Sequence, residues 1–105
     1  MNDTIRVAVA DDHPMFRAGV VTSLREEEGL EVVGDAADGS AALSLARAEL
    51  PDVMVLDINM PGGGLETAQR IAAACPATRI VMLTVSEDEI DLALDALDKA
   101  LVDAQ

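Results

Sequence analysis

Two hydrophobic patterns alternate along this chain, one typical of strands and the other of helices. Short runs rich in Val, Ile and Leu, bounded by turn residues, are typical of strands buried on both faces of a sheet. Segments with apolar residues every three or four positions are typical of helices. The predicted strands are Ile5–Ala10, Leu30–Ala36, Val53–Asp57 and Arg79–Leu83. The predicted helices cover about residues 14–28, 40–50, 65–75 and 86–105.

This alternation predicts an α/β fold. Crossovers that contain one helix each imply parallel strands with right-handed connections. The expected architecture is therefore a doubly wound parallel sheet built from four β-α units. The chain has 105 residues, which suits one domain over residues 1–105.

The core must be built almost without aromatic side chains, since Phe16 is the one aromatic residue. We expect Val, Leu, Ile and Ala to fill it, with Met15, Met54 and Met82 as adaptable fillers. Pro14 suits the first turn of the first helix, and Gly29 is a plausible stop for it. The expected buried stripe of that helix is Met15, Ala18, Val21 (or Val20) and Leu24.

Acidic residues follow two of the predicted strands. Asp57 ends the run VMVLD, and Asp11 and Asp12 follow Ile5–Ala10 directly. Parallel strands place ligand sites outside their carboxyl ends, so neighbouring strands would bring the three carboxylates together. Like charges so close need a cation, or one of them must keep its proton. Mg²⁺ prefers a few carboxylates with waters and phosphate oxygens, and is the cation we expect.

Simpler interpretations of these motifs stay open at this point. Asp11 and Asp12 could cap the following helix, and Asp57 could be a turn residue before Pro61. His13 has no second histidine, which favours an exposed loop imidazole over a ligand. Gly62-Gly63-Gly64 lacks the lysine and spacing of a nucleotide loop and is interpreted as a flexible turn.

The charge excludes several classes of partner. The formal net charge of −13 argues against direct nucleic-acid binding, which needs a basic face, and against anionic membranes. Cys75 is the single cysteine, so no internal disulfide can form. No apolar run approaches the ~20 residues that span a bilayer, and no secretory signal is visible. We therefore expect a cytoplasmic protein.

The final segment contains neither Gly nor Pro and reads SEDEIDLALDALDKALVDAQ. Ser86 followed by Glu89 matches a capping box, so one long C-terminal helix is predicted from there. Its apolar stripe consists of Ile90, Leu94, Leu97 and Leu101. The stripe fits either packing on the chain's own sheet or, for its second half, packing on a partner chain.

Several of these motifs together resemble a known family. Asp11-Asp12, Asp57 followed by Met60-Pro61-Gly62, and Thr84 at the end of the fourth strand resemble the receiver domain of bacterial two-component response regulators. The segments VADDHPMFRAGV and VLDINMPGGGLE most resemble those of receivers that precede a helix-turn-helix domain of the LuxR/NarL type. The resemblance covers about residues 5–94 and implies a flavodoxin-like receiver fold.

The resemblance implies a role for each matching residue. Asp57 would accept a phosphoryl group from a histidine kinase. Mg²⁺ would be held by the side chains of Asp12 and Asp57 and the main-chain carbonyl of Asn59, with Asp11 acting through a metal-bound water or as a further ligand. Thr84 would hydrogen-bond the phosphoryl group and shift toward it as a switch. Such a protein is a signalling phospho-acceptor rather than an enzyme, limited to autophosphorylation from a donor and self-dephosphorylation.

The C-terminal part departs from the family pattern. A Gly-containing loop, a fifth strand with its terminal lysine, a fifth helix and the DNA-binding domain are not recognisable, and Lys99 lies inside the predicted helix. We therefore expect a truncated receiver with weak phosphorylation. Its fourth strand would be an uncovered edge, which predicts a homodimer through that edge or the C-terminal helix.

Two other functions remain open from the sequence. One is a dimerising or partner-binding module that has lost phosphorylation, which the missing lysine favours. The other is a metal-dependent hydrolase acting through the same carboxylates, for which no general acid is evident near Asp57.

Overall fold

The computed structural model describes residues 4–83, which form four strands and three helices. The strands are β1 (Ile5–Ala10), β2 (Leu30–Ala36), β3 (Val53–Asp57) and β4 (Arg79–Leu83). The helices are α1 (Pro14–Arg25), α2 (Gly39–Glu49) and α3 (Gly64–Ala74). The predicted C-terminal helix and Thr84 lie outside the described residues.

The strands form one parallel sheet in the order β2-β1-β3-β4. β1 and β3 are direct neighbours, with Val9 opposite Val55 and Ala10 opposite Leu56. This pairing confirms the parallel arrangement that the crossovers predicted. It also brings the carboxyl ends of β1 and β3, which carry the acidic residues, side by side.

Helices cover both faces of the sheet, which confirms the doubly wound α/β class. α1 packs on one face, where Val20 and Leu24 meet Val9 and Val55. α2 and α3 pack on the other face, where Ala46 of α2 and Ile71 of α3 join a core that includes Met54. Small residues such as Ala8 and Ala42 dominate this second core, so the helices can lie close to the sheet.

β3 is the most enclosed strand, since all five of its residues are buried. The apolar run that precedes Asp57 is therefore packed on both sides, as predicted. This rigid support fixes the main chain from which the Asp57 side chain projects.

α1 differs from its prediction in length and in its buried stripe. The helix ends at Arg25 with Glu26 as its C-cap, three residues before the predicted end. Three consecutive glutamates at a helix C-terminus are disfavoured by the helix dipole, which accounts for the early end. Gly29 has a φ of 91° and turns the chain into β2. Met15 and Ala18 were wrongly assigned to the buried stripe, because Met15 is 90% exposed and Ala18 is also exposed. Phe16 packs against the core in their place.

The starts of α2 and α3 were each predicted one residue late. Asp38 is the N-cap of α2, and its carboxylate accepts a hydrogen bond of 2.8 Å from the main-chain N–H of Ala41. α3 begins at Gly64, so the glycine run belongs only partly to the preceding loop. Gly62 and Gly63 have φ values of 91° and 80°, a region that glycine enters without strain.

Candidate metal and phosphoryl site

Asp11 stands immediately after β1 and is held by the sheet. Its main-chain N–H donates to the carbonyl of Ala36 at the end of β2, at 3.0 Å. Its carboxylate Oδ1 accepts the main-chain N–H of His13 at 2.7 Å. The residue is only 2% exposed, so its carboxylate lies at the bottom of the site.

Asp57 is the last residue of β3 and begins a tight turn. Its carboxylate Oδ1 accepts the main-chain N–H of Asn59 at 3.0 Å, and its carbonyl accepts the N–H of Met60 at 3.3 Å. The next residue, Ile58, donates its N–H to the carbonyl of Leu83 at 3.1 Å, which continues the pairing with β4. The Asp57 side chain is thereby fixed at the carboxyl edge of the sheet.

Four titratable side chains meet at this edge. Asp11, Asp12, His13 and Asp57 each offer one ligand atom, and these atoms lie within 4.8 Å of one another. The predicted convergence of the three carboxylates is therefore present. Asn59 is exposed in the turn after Asp57, so its carbonyl lies in the same loop, two residues from the Asp57 carboxylate.

The acidic cluster is only partly compensated by the groups around it. Asp12 Oδ1 is buried and accepts no hydrogen bond among the described residues, and the cationic group beside it is the largely exposed His13 imidazole, whose Nδ1 is 3.2 Å away. A buried carboxylate oxygen without a hydrogen bond is costly, and a bound cation would stabilise it. The donor set consists of hard oxygen atoms, which fits a divalent cation such as Mg²⁺.

The buried position of Asp11 changes its proton affinity. Removal from water raises the pKa of its carboxyl above 3.8, and the nearby Asp57 carboxylate raises it further. The hydrogen bond from the His13 main chain acts in the opposite direction. Burial, with a smaller contribution from the Asp57 charge, therefore disfavours the charged form of Asp11 in the absence of a cation.

His13 contributes more than its interpretation as an exposed loop imidazole suggested. Its side chain is 60% exposed, but Nδ1 lies 3.3 Å from Asp11 Oδ1 and 3.2 Å from Asp12 Oδ1. The Asp12 carboxylate raises the pKa of the imidazole, and the hydrogen bond with Asp11 adds to this effect. The imidazolium thus lies against the two carboxylates of the site. The sequence could have indicated this contact, because His13 directly follows Asp11 and Asp12.

Arg17 was also missed by sequence reasoning. It is the fourth residue of α1, yet its guanidinium reaches back to the loop that carries Asp11 and Asp12. A cation near a helix N-terminus is disfavoured by the helix dipole, so an arginine at this position in the sequence indicates that other groups hold its side chain there.

The loop after Asp57 is fixed by close main-chain contacts. The carbonyl of Pro61 accepts the N–H of Gly39 at 3.2 Å, which ties the loop to the start of α2. Gly64 lies directly against the main chain of Ile58, where a β-carbon would meet backbone atoms. The glycine therefore lets α3 begin immediately behind the acidic site.

The fold and site define a doubly wound parallel α/β domain with an acidic cluster at the carboxyl ends of its two inner strands, β1 and β3. Within that class, the chain belongs to the response regulator receiver domain family. The family model matches residues 7–104.

Curated relatives support this assignment. The response regulator GacA of Pseudomonas aeruginosa is 43% identical over 86 residues, which are 81% of this chain and 40% of GacA. The probable transcriptional regulatory protein NarL of Mycobacterium tuberculosis is 42% identical over 98 residues, 92% of this chain and 45% of NarL. The chain thus spans less than half the length of these relatives.

Solved structures agree on the fold. The signal receiver domain of NarL from Mycobacterium tuberculosis has a TM-score of 0.80 and 35% identity, over 97% of this chain and 96% of that one. The isolated receiver domain of RcsB from Salmonella enterica serovar Typhimurium, solved with the phosphomimetic BeF3-, has a TM-score of 0.73 and 29% identity over 88% of this chain and 72% of that one. Among residues 4–83, no helix is long and apolar enough to cross a membrane.

Proposed function

We propose that this chain is the phospho-acceptor receiver of a two-component signalling system, with Asp57 as the acceptor. The observation that carries the proposal is the meeting of Asp11, Asp12 and Asp57 at the carboxyl edge of the sheet, with ligand atoms within 4.8 Å. Membership of the receiver family supports the same function.

The proposed reaction is transfer of a phosphoryl group from a phosphohistidine of a kinase. Oδ1 of Asp57 already accepts the Asn59 N–H, so the other oxygen, Oδ2, is the proposed nucleophile. A lone pair of Oδ2 forms the new O–P bond while the N–P bond breaks and its electron pair stays on the imidazole nitrogen. The product is an acyl phosphate on Asp57, and the departing imidazole takes a proton from solvent.

The residues proposed to hold Mg²⁺ are Asp12 and Asp57 through their side chains, Asn59 through its main-chain carbonyl, and Asp11 directly or through a water. Asp12 Oδ1, which is buried and accepts no hydrogen bond among the described residues, supports this assignment. A bound Mg²⁺ would neutralise the charge that builds on the phosphoryl oxygens. The turn at Asn59 and the buried position of Asp11 keep these oxygen donors in place before any ion binds.

Thr84 is proposed as the switch hydroxyl that bonds the phosphoryl group. It directly follows β4, whose last residue, Leu83, pairs with Asp57.

A histidine kinase and a second copy of this chain are the proposed partners. Met15 is 90% exposed two residues after His13, so an apolar side chain stands beside the acidic site where a kinase would dock.

β4 is an edge strand of the sheet formed by the described residues, and its last four residues are half-buried. An edge of this kind favours pairing with another chain, which supports the proposed homodimer. A cytoplasmic location belongs to the same proposal, as does a role without direct nucleic-acid or membrane binding.

Mass measurement after incubation with acetyl phosphate and Mg²⁺ tests the proposal. The wild-type chain should gain one phosphoryl group, and Asp57→Asn should gain none. Glu28→Gln, which removes one exposed carboxylate in the turn between α1 and β2, is the charge-matched control and should gain as much as wild type.

Two other outcomes would point elsewhere. If neither wild type nor Asp57→Asn gains mass although both are folded, the dimerising module without phosphorylation becomes the better account. The edge position of β4 in the described sheet is the feature that favours that second function. Steady consumption of acetyl phosphate by Asp57→Asn would indicate hydrolysis independent of the proposed acceptor.

A further inference from the structure

The guanidinium of Arg17 joins three parts of the chain around the acidic site. Its Nε donates to Asp35 Oδ2 at 2.7 Å, near the end of β2. Its Nη1 donates to the main-chain carbonyl of Asp11, also at 2.7 Å. The Arg17 side chain is only 20% exposed; its bond to the Asp11 carbonyl is partly buried, whereas its bond to Asp35 is exposed to solvent.

The bond to the Asp11 carbonyl acts on the peptide unit that links the two acidic residues. The N–H of Asp11 is fixed by Ala36, and its carbonyl is fixed by Arg17. A peptide unit is planar, so holding its oxygen also orients the N–H of Asp12 and the Cα from which the Asp12 carboxylate projects. That carboxylate carries the buried oxygen that accepts no hydrogen bond among the described residues.

The effect of Arg17 on the site is expected to be geometric more than electrostatic. Its charge is paired with Asp35, whose side chain is 49% exposed, and partly exposed pairs contribute little through charge alone. The planar guanidinium, in contrast, can serve two acceptors in fixed directions, which a lysine ammonium cannot reproduce. A cation at the start of α1 is also disfavoured by the helix dipole, so its two acceptors must hold it there.

We propose that Arg17 is a positioning residue for Mg²⁺, acting through the peptide between Asp11 and Asp12. This inference rests on the proposed function, because it requires that the acidic site binds Mg²⁺. Groups that orient metal ligands from outside the coordination sphere change metal affinity by roughly 10- to 100-fold. The Arg17 bond is therefore expected to keep the Asp12 carboxylate oriented for the ion in the absence of phosphorylation.

The test compares Mg²⁺ affinity, by isothermal titration calorimetry on the full chain, among wild type, Arg17→Ala, Arg17→Lys and Arg70→Ala. Arg70→Ala removes the same charge from an exposed pair with Glu66 on α3 and is the matched control. We expect Arg17→Ala to bind Mg²⁺ about tenfold more weakly and Arg17→Lys to be intermediate, with Arg70→Ala unchanged. Circular dichroism establishes that each variant is folded.

The outcomes separate this inference from the proposed function. If wild type binds Mg²⁺ and Arg17→Ala binds it equally well, the positioning role is overturned while the phospho-acceptor proposal stands. If wild type itself fails to bind Mg²⁺, the proposed function fails first. If Arg17→Ala does not fold, the Mg²⁺ affinity of Arg17→Lys tests the positioning role. Wild-type Mg²⁺ affinity in Arg17→Lys would show that a positive charge suffices at this position, and would overturn the geometric role of the guanidinium.

Discussion

Gly64 lies so close to Ile58 that a β-carbon built on the glycine would be 2.6 Å from the Ile58 Cα atom. The same β-carbon would also meet the carbonyl oxygens of Asp57 and Ile58. All three atoms belong to the main chain, so no side-chain rotation can relieve the contact. The first residue of α3 therefore determines how closely this helix approaches the proposed acceptor.

Gly64→Ala should displace the loop after Asp57. Overpacking of this kind costs about 1–3 kcal/mol of unfolding free energy, and we expect a loss in that range together with weaker phosphorylation. Gly19→Ala is the matched control, because a β-carbon at Gly19 in α1 meets nothing within 4 Å. That change should stabilise the protein by about 0.5–1 kcal/mol, since alanine favours helix over glycine. Urea unfolding followed by circular dichroism gives both values, and equal effects of the two substitutions would contradict the packing argument.

Asp12→Asn should weaken Mg²⁺ binding more than Arg17→Ala does. The substitution removes the charge of the carboxylate whose buried oxygen accepts no hydrogen bond among the described residues, so we expect an affinity loss greater than about tenfold. Glu28→Gln removes one carboxylate far from the site and should leave the affinity unchanged. Titration of Mg²⁺ into isotope-labelled protein, monitored by NMR, measures both. Equal affinity in Asp12→Asn and wild type would exclude Asp12 as a ligand.

Stability should depend on pH through Asp11 when Mg²⁺ is removed with EDTA. Burial raises the folded-state pKa of Asp11 above 3.8, so the folded protein holds this proton more tightly than the unfolded chain does. By linkage, the contribution of Asp11 to stability falls as pH rises from 3.8 through the raised pKa. Asp11→Asn lacks this penalty and should gain stability relative to wild type across that interval. The measurement is the free energy of unfolding of both proteins over a pH series, and a pH-independent difference would argue against this assignment.

Arg6 should affect stability without affecting the site. Its Nη2 pairs with Glu49 Oε1 at 3.0 Å, and its Nη1 donates to the Glu49 carbonyl at the end of α2. These contacts lie at the amino edge of the sheet, opposite the acidic cluster. Arg6→Ala should cost about 1 kcal/mol, while Arg70→Ala, which breaks a more exposed pair, should cost less than that. Both variants should be phosphorylated as wild type is, and loss of phosphorylation in Arg6→Ala would mean that the two edges are coupled.

The sequence predicted the strands well because their apolar runs are short and bounded by turn residues. The bounds of β1, β2 and β4 match the expectation, and burial of β3 on both faces follows from its composition. The expectation for α1 was less accurate because Met15 and Ala18 have a helical spacing with Val21, whereas the buried face consists of Val20, Val21 and Leu24 with Phe16 packed against it. Both stripes have helical spacing, and local pattern alone does not decide which one faces the sheet.

The acidic cluster could be predicted because each carboxylate directly follows a strand, and parallel strands end at one edge. The contributions of His13 and Arg17 could not be predicted in the same way. Both depend on side chains that turn back toward the loop after β1, and on Asp35, which is distant in sequence. The hydrogen bonds of Arg17 join residues that no periodic pattern relates to one another.

The central claim is that Asp57 carries the phosphoryl group, and chemical trapping tests it most directly. After incubation with acetyl phosphate and Mg²⁺, borohydride reduces an aspartyl phosphate to homoserine, and peptide mass spectrometry locates the altered residue. We predict homoserine at position 57 in wild type and no homoserine when Mg²⁺ is withheld. Homoserine at another carboxylate, or its complete absence from folded protein with Mg²⁺ bound, would contradict the account.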